Sequence, residues 1–258
     1  MNQFIEKIKK NKFLFEELVK RDFNKKYKRT ALGMLWSMLA PLLNVLVLLI
    51  VFTHVFSKTQ AHFIVYVFSG TLVLSYYSEA TTGAMRALMA NSAIFSKIKV
   101  PKFLFVLSRV SQSFINFLLT LVVYFIVCIV DGIPISPRWL LLIFPIVCLT
   151  AFNLGVGEIL SYMFVIFRDI EYLYTIFLTL LGYVSAVFYP ISIIPENYQR
   201  IFLLNPVYVY IKYFRCIVID GSIPSAEYHF LSLGYAAAVL LIGTCIKKKY
   251  DNELLYYI

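Results

Sequence analysis

The sequence contains few charged residues for its length, and acidic residues are the scarcest of them. Of 258 residues, 14 are aspartate or glutamate and 24 are lysine or arginine, so charged side chains make up only 15% of the chain. A soluble globular domain usually carries about 25% charged residues. Hydrophobic residues make up 60%, and uncharged runs of about 20 residues recur along the chain. This composition argues against a soluble protein and predicts an integral membrane protein.

The sequence also lacks the motifs of a nucleotide, metal or disulfide site. None of the ten glycines is followed by lysine, so the chain has no P-loop. The four cysteines are far apart, and the three histidines have no cysteine or carboxylate partner at metal-ligand spacing. Gly155 and Gly157 lie in an apolar run and indicate close helix packing. We therefore expect no metal, cofactor or catalytic group on this chain.

The excess of basic residues is explained by membrane orientation. The net charge is +10, but lysine and arginine cluster at the ends of apolar runs, so a nucleic-acid partner is not expected. Residues 1–30 hold the densest cluster, and the loop before Phe103 and the last twelve residues are also basic. Cytoplasmic loops carry such an excess, so both termini are predicted to be cytoplasmic.

The apolar runs predict one all-α membrane domain with six spans. Residues 4–23 place Phe4, Ile8, Phe15 and Val19 at helical spacing among lysines, which predicts an amphipathic helix in the membrane surface within residues 1–30. Five spans follow within residues 31–189, and a sixth occupies residues 230–246 before a cytoplasmic tail of residues 247–258. The predicted spans are Ala31–Phe56, Phe63–Ala84, Phe103–Val130, Trp139–Phe167, Tyr172–Tyr189 and Phe230–Ile246.

The segment of residues 190–229 is apolar but broken by prolines. Its longest apolar piece, Val207–Ile219, is too short to span and contains Lys212 and Arg215. We expect a re-entrant or interfacial pair of short helices on the outer face, because irregular backbone at membrane depth requires protein or water around it. The alternative is an outer loop resting on the lipid headgroups.

Two carboxylates, Glu79 and Glu158, fall inside predicted spans. An unpaired charge there costs about 3 kcal/mol on insertion scales, so each is expected to face protein or water. A catalytic acid/base pair would need a polar partner that the sequence does not provide, which favours a structural hydrogen bond or a polar pathway.

The stretch "LVKRDFNKKYKRTALGMLWSMLAPLL" resembles the start of the membrane subunits of bacterial ATP-binding-cassette polysaccharide exporters. The motifs that carry the resemblance are Arg21-Asp22, Tyr27-Lys28, Leu32-Gly33, Leu35-Trp36-Ser37 and Pro41-Leu42. The resemblance extends over nearly the whole chain. Members of that family export O-antigen, teichoic acid, capsule or rhamnan chains.

The resemblance implies a role for three further segments. The stretch "NSAIFSKIKVP" is similar to the coupling helix that docks into the ATPase, which assigns that role to Asn91, Ile94, Phe95, Lys97, Lys99 and Pro101. The basic arm is similar to the interfacial helix at the entrance for the lipid carrier, formed here by Arg21, Asp22, Lys25, Lys26, Tyr27 and Arg29. The outer gate helices of the family correspond to positions that include Pro190, Pro195, Asn205 and Pro206.

The resemblance also implies the partners and the mechanism. Two copies of the chain form a homodimer in the cytoplasmic membrane, and two copies of a separate ATPase bind ATP and Mg²⁺. The cargo is an undecaprenyl-pyrophosphate-linked glycan, and membrane lipids bind the basic arm at roughly 1 kcal/mol per basic residue. Orientation of the chain alone would also explain the basic arm. For the glycan we expect a translocation path lined by Tyr76, Tyr77, Glu79, Tyr174 and Phe177.

Three other functions are compatible with parts of the sequence. An exporter of the same architecture would serve drugs or lipids, but the N-terminal motifs and the aromatic content of 17% favour sugar polymers. A membrane-embedded glycosyl- or acyltransferase would need paired catalytic groups on a loop. A secondary transporter or channel is disfavoured by the absence of a visible inverted repeat.

Overall fold

The structure of the chain, a computed structural model, describes residues 2–27, 32–56, 62–98, 100–251 and 254. These residues form helices and connecting turns, with no strand among them. The α-helices are α1 (Asn2–Tyr27), α2 (Trp36–Phe56), α3 (Phe63–Met85), α4 (Ala87–Ala90), α5 (Ser92–Phe95), α6 (Phe103–Val130), α7 (Ile143–Ile166), α8 (Ile170–Val184), α9 (Glu196–Gln199), α10 (Pro206–Val218) and α11 (Ala226–Tyr250). The predicted all-α class is confirmed.

The six predicted spans overlap six helices, of which α8 has only 15 residues, and several ends differ. The third span matches α6 at both ends. The first begins at Trp36 rather than Ala31, because Gly33–Leu35 forms a 3₁₀ turn. The fifth ends at Val184 rather than Tyr189, because Ala186 adopts a left-handed backbone with φ 49° and breaks the helix. The sixth helix is longer than predicted at both ends, covering Ala226–Tyr250.

Three helical stretches among the described residues are long and apolar enough to cross a membrane. They are α6, the stretch Pro137–Ile166, in which a 3₁₀ turn leads into α7, and α11. A fourth results if the helices Glu196–Leu204 and Pro206–Val218, which meet at 111°, form one broken span. Shorter apolar helices cover Trp36–Val47 and Ile170–Val184. The chain is thus a multi-pass membrane protein.

The core of the bundle forms where α3, α6 and α7 pack together, with α11 against α7. Gly155 permits this approach, because a Cβ there would lie 2.7 Å from the backbone nitrogen of Leu240 on α11. A Cβ at Gly157 would lie 2.6 Å from the Cβ of Ala84 on α3. The prediction that these two glycines serve helix packing is confirmed.

The outer segment contains a helix that is buried in protein. In α10, every residue from Val207 to Val218 is buried except Lys212, which is partly exposed. The helix packs against α3, α7 and α11. An outer loop resting on the headgroups does not describe this arrangement, whereas a pair of short helices supported by protein does.

Candidate functional site

A polar stripe runs along one face of α3. Each member lies three or four residues from another member of the stripe: Thr71, Ser75, Ser78, Glu79 and Thr82. All five are partly or fully exposed, whereas the neighbouring positions of α3 are mostly buried. The face of α3 that the bundle leaves open is therefore polar.

The open face of α6 has the opposite character. Its exposed positions recur at the same helical spacing and are all apolar: Leu118, Val122, Ile126 and Ile129. Apolar side chains on an exposed helix face suit contact with lipid, whereas polar residues within membrane helices face the bundle interior or a water-filled cavity. The two helices thus distinguish a lipid-facing side of the chain from a polar side.

Two cavities flank the polar stripe. One, of about 390 Å³, lies between α2, α3 and α6. The other, also of about 390 Å³, is an open groove between α3 and α8 that is lined by Leu74, Ser75, Ser78, Glu79 and Leu178. Ser75 and Glu79 line both cavities. A continuous polar surface therefore connects the groove with the space between α2 and α6.

Glu79 is held at the centre of this surface by α6. Its Oε1 accepts a hydrogen bond of 2.7 Å from Nδ2 of Asn116, a residue that is itself buried. The carboxylate therefore faces protein on one side and cavity space on the other. This arrangement is the one expected for an ionisable group within a membrane span.

Two of the tyrosines predicted to line the path lie in the core instead. Tyr77 is buried and stacks on Phe152 with ring centroids 5.8 Å apart. Tyr174 is buried and donates a 2.6 Å hydrogen bond to Thr81. Neither ring faces open space in this structure, because large rings contribute most when they are removed from solvent between helices, and their assignment to the path stays a prediction.

The other predicted path residues reach open space to different degrees. Tyr76 is buried against Phe117, with centroids 4.5 Å apart, and donates to Thr150 at 3.0 Å, but it also lines the cavity between α2 and α6. Phe177 is 43% exposed on α8. Sequence reasoning missed the small hydroxyls of α3, although their helical spacing within an apolar run was a usable signal.

Helix α8 lies largely outside the bundle. Only Tyr174, Leu181 and Gly182 are buried in it. Thr175 and Thr179 are exposed one turn apart, and each hydroxyl donates to the carbonyl four residues earlier. The hydroxyl protons are therefore hydrogen-bonded within the helix, while the side chains still face outward.

The segment predicted to be a coupling helix forms two short helices, α4 and α5. Asn91 lies between them, is buried, and donates a 2.8 Å hydrogen bond to the carbonyl of Ala87. Phe95 is buried against Phe105, and Ile94 is partly buried beside it. Lys97 is exposed. The apolar residues thus fix the segment to the bundle and leave its basic end open.

The remaining predicted coupling residues flank this open end. Pro101 is exposed just before α6, and Lys99 lies outside the described residues. Lys102 follows at once, and its ammonium lies 5.8 Å from the centre of the Phe95 ring. It also lies 3.3 Å from Oδ1 of Asp251, which accepts a 2.9 Å hydrogen bond from Tyr162. The end of α11 therefore braces the coupling segment.

The N-terminal helix is held to α6 by a buried ion pair. Asp22 is 1% exposed, and its Oδ2 lies 3.2 Å from Nε of Arg109. Its Oδ1 accepts two hydrogen bonds from Arg21, the shorter being 2.8 Å. Leu18, one turn earlier, is buried in the same contact. The face of α1 that packs on the bundle is thus centred on Leu18 and Asp22.

The placement of the predicted apolar face of α1 in the membrane surface stays a prediction. Phe15 and Val19 are only partly buried, and the side chains of Phe4 and Ile8 lie outside the described residues. For the predicted carrier entrance, Lys25, Lys26 and Tyr27 fall within the last turn of α1, but their side chains are outside the description, as is all of Arg29. Arg21 and Asp22 are brought together by the structure.

The predicted gate residues shape the turn into α10. Asn205 caps the helix, because its Oδ1 accepts from the backbone nitrogens of Val207 and Tyr208 while its Nδ2 donates to Ser185 at 2.8 Å. Pro206 occupies the first helical position, where no backbone donor is needed. Pro190 is buried before Ile191–Ile193, and Pro195 precedes α9.

Arg215 was interpreted as an outer charge, but it is buried. Its guanidinium donates to Ser69 at 3.2 Å and to the carbonyls of Tyr66 at 3.1 Å, Ala186 at 2.9 Å and Val187 at 3.1 Å. It also lies over the ring of Tyr66, 3.4 Å from its centre. This single side chain connects α10, α3 and the turn after α8.

Two acidic side chains next to turns contact a basic side chain that is distant in the sequence. Nδ1 of His62 lies 2.7 Å from Oδ2 of Asp131, a partner 69 residues away that sequence spacing did not reveal. Glu171, in the first turn of α8, pairs with Arg86. Among the described residues, no group of three histidine, cysteine or carboxylate side chains is placed to hold a metal ion.

Comparison with known proteins assigns the chain to a family. The family model described as ABC-2 type transporter matches residues 14–219. The chain is 27% identical over 249 residues to the O-antigen export system permease protein RfbA of Klebsiella pneumoniae, covering 95% of this chain and 94% of the relative. It is 29% identical over 232 residues to the protein of the same name from Myxococcus xanthus, covering 88% of each.

A third relative is named for the transport of a different polysaccharide. The chain is 24% identical over 255 residues to the polysialic acid transport protein KpsM of Escherichia coli, covering 95% of this chain and 96% of the relative. The similarity to all three extends over nearly their full lengths. Together with the family match, it establishes that this chain belongs to the ABC-2 type transporter family as a membrane subunit.

Proposed function

We propose that the chain is the membrane subunit of an ATP-driven exporter that moves a polysaccharide across the bacterial cytoplasmic membrane. The observation that carries this proposal is the polar stripe of α3, which lies open beside the groove along α8. A hydroxyl-rich chain needs a polar, water-accessible route through the bilayer. Serine and threonine hydroxyls along one helix face offer such a route, since they both donate and accept hydrogen bonds.

The names of the relatives support a polysaccharide rather than a drug or a lipid. Two are permease proteins of O-antigen export systems and one is a polysialic acid transport protein. We extend the proposal to a glycan linked to undecaprenyl pyrophosphate, whose anionic headgroup would suit the basic residues at the end of α1.

Transport by this chain requires a partner, because the sequence has no P-loop. ABC-2 permeases work with a nucleotide-binding ATPase, so ATP and Mg²⁺ belong to that subunit. The open basic end around Lys97 is the surface that we assign to docking. Phe95 and Lys102 fix that surface to α6 and α11, so movement of the ATPase would be transmitted to the bundle through packed side chains.

We propose a homodimer with two ATPase copies, in which the polar grooves of the two protomers face each other. A two-fold arrangement would place α3 and α8 of both chains around one path and leave the apolar face of α6 in lipid. Six spans with both termini in the cytoplasm satisfy the distribution of basic residues. The turn of Pro190 and Pro195 and the capped start of α10 at Asn205 and Pro206 would form the outer gate.

Thiol labelling tests the path and the function together. Cys128, Cys148 and Cys216 are buried and Cys245 is exposed, so Cys245→Ser provides the background. In that background, Ser75→Cys should react with a charged, bulky thiol reagent, and labelling should abolish the appearance of the host's polysaccharide at the cell surface. Ile126→Cys, on the lipid-facing side of α6, should leave export unchanged.

Two results would contradict the proposal. Normal export after complete labelling of Ser75→Cys would remove α3 from the path. Unchanged surface polysaccharide in cells depleted of the chain would remove the function itself.

A further inference from the structure

The cavity between α2, α3 and α6 is a partly open side chamber next to the groove along α8. Its volume of about 390 Å³ falls in the range of about 300 to 1,000 Å³ that is typical of small-molecule sites. The first half of α2, the middle of α3 and the middle of α6 form its three walls. The chamber therefore lies within the membrane-embedded part of the chain.

The walls carry several polar side chains. Ser113 and Asn116 are buried in the middle of α6, and Asn116 donates to Glu79 across the chamber wall. Thr120 donates to the carbonyl of Ser37 at 3.2 Å, which joins α6 to α2. Burying a polar group at this depth costs free energy unless the group forms a hydrogen bond with protein or with a ligand. The chamber thus presents a set of donors and acceptors fixed by neighbouring helices.

Aromatic rings form the rest of the chamber. Tyr76 and Phe117 stack with an interplanar angle of 26° and present a joint ring surface, and Trp36 lies at the chamber wall on α2. A sugar ring has an apolar C–H face and an edge of hydroxyls. An aromatic surface beside a carboxylate and an amide matches both features. An acyl chain would instead leave Glu79, Asn116 and Ser113 facing hydrocarbon.

We propose that this chamber is a saccharide subsite that holds one sugar unit. Glu79 accepts hydrogen bonds from the sugar hydroxyls, and the amide group of Asn116 donates to them. The inference rests on the proposed function, because the polymer would supply the sugar unit. Ser75 and Glu79 line both the chamber and the open groove, so a sugar unit in the groove needs no separate entrance. Such a subsite would retain the polymer between successive cycles of ATP hydrolysis.

The two tryptophans make the chamber measurable without transport. Trp36 lines the chamber, whereas Trp139 stacks on Phe125 at the other end of α6, with centroids 4.9 Å apart. In the Trp139→Phe variant, purified as the full chain in nanodiscs, emission therefore reports the chamber alone. Methyl glycosides of mannose, rhamnose, glucose and N-acetylglucosamine serve as probes. At least one should change the emission of Trp36 in a saturable manner in the millimolar range, as expected for one sugar unit.

Two variants locate the response. Glu79→Gln keeps a hydrogen-bonding side chain beside Asn116 but removes the charge, and it should weaken binding by about tenfold. Ala40→Leu fills the chamber from α2 and should abolish the response. Ile126→Ala on the lipid-facing side of α6 is the matched control and should bind like the parent. Each variant is first checked for a single elution peak, so that misfolding is not mistaken for lost binding.

The absence of a saturable response to every glycoside would overturn the subsite, as would an unchanged response in Ala40→Leu. In that case lipids with brominated acyl chains are tested. If they quench the emission of Trp36, and if Ala40→Leu abolishes this quenching, the chamber holds lipid. Neither result depends on export. If labelling of Ser75→Cys blocks export but no glycoside binds, the proposed function stands and the subsite fails. If labelling does not block export and no glycoside binds, both proposals fail.

Discussion

At the scale of single residues, Arg215 shows how this membrane chain accommodates a buried charge. The guanidinium has no carboxylate beside it among the described residues and is held instead by three backbone carbonyls, the Ser69 hydroxyl and the face of Tyr66. Ala186, which supplies one of the accepting carbonyls of this set, has the left-handed backbone that ends α8. Arg215 therefore compensates for the carbonyl groups that this break leaves without helical partners.

Replacement of Arg215 should destabilise the fold more than any other single charge removal in α10. Hydrogen bonds to charged groups contribute about 1.5 to 3 kcal/mol each, so we expect Arg215→Leu to cost about 3 kcal/mol or more. The fraction of protein that survives heating in detergent, measured by fluorescence-detected gel filtration, reports this change. Lys212→Leu is the matched control, because Lys212 is partly exposed and pairs at 3.5 Å with the exposed Asp220. Equal survival of the two variants would show that Arg215 does not hold the turn.

The sequence shows where charges must be buried but does not show which helix faces are packed. Glu79 and Glu158 were recognisable because a charge within an apolar run must face protein, and Glu158 does lie 3.9 Å from Lys247 in the interior. The burial of Tyr77 and Tyr174 was not visible, because a helix that is apolar on all sides does not reveal which face is packed. The contact between His62 and Asp131 depends on folding and has no local signal.

At the scale of elements, the long helices were predictable and their breaks were not. Apolar length fixed α6 at both ends, whereas the end of α8 at Val184 depends on the left-handed Ala186 and on Arg215 from another helix. The burial of α10 was likewise not visible, since a short apolar stretch containing two charges reads as an interfacial segment. The role of the coupling segment stays a prediction, and its division into α4 and α5 at Asn91 follows from a side-chain hydrogen bond to the backbone that sequence spacing does not show.

The coupling segment yields a prediction at this scale. Charge reversal at Lys97, alone or together with Lys99, should lower the amount of ATPase that copurifies with the chain while membrane insertion stays intact. A tenfold loss of affinity, about 1.4 kcal/mol, is the expected size for removing a favourable charge at an interface edge. Lys248→Glu, at an exposed position near the end of α11, is the control and should retain the ATPase. Full recovery of the ATPase with Lys97→Glu would exclude this end of the segment as the dock.

At the scale of the whole molecule, the described residues expose apolar faces on several helices, among them α6, and a polar stripe on α3 that requires a partner surface or water. The exposed apolar stripe of α6 can face lipid and needs neither a partner surface nor water. The groove between α3 and α8 is open along its length and would face the bilayer in an isolated protomer. Polar side chains in such a position are unfavourable, which supports a dimer that encloses them.

Cross-linking tests this arrangement. In the Cys245→Ser background, Thr179→Cys on the exposed face of α8 should form covalent dimers in native membranes when treated with a short bifunctional maleimide. Ile126→Cys on α6 should remain monomeric under the same conditions. The reverse pattern would place α6 rather than α8 at the interface between protomers.

The central claim is that this chain moves a polysaccharide across the membrane with energy from ATP. Inverted membrane vesicles from the host expose the cytoplasmic side, so export carries polymer into the lumen. We predict that lipid-linked polysaccharide becomes protected from an added glycosidase after addition of ATP, and that protection is lost in vesicles that lack the chain. ATP-dependent protection of equal extent without the chain, or continued digestion in its presence while ATP is hydrolysed, would contradict the account.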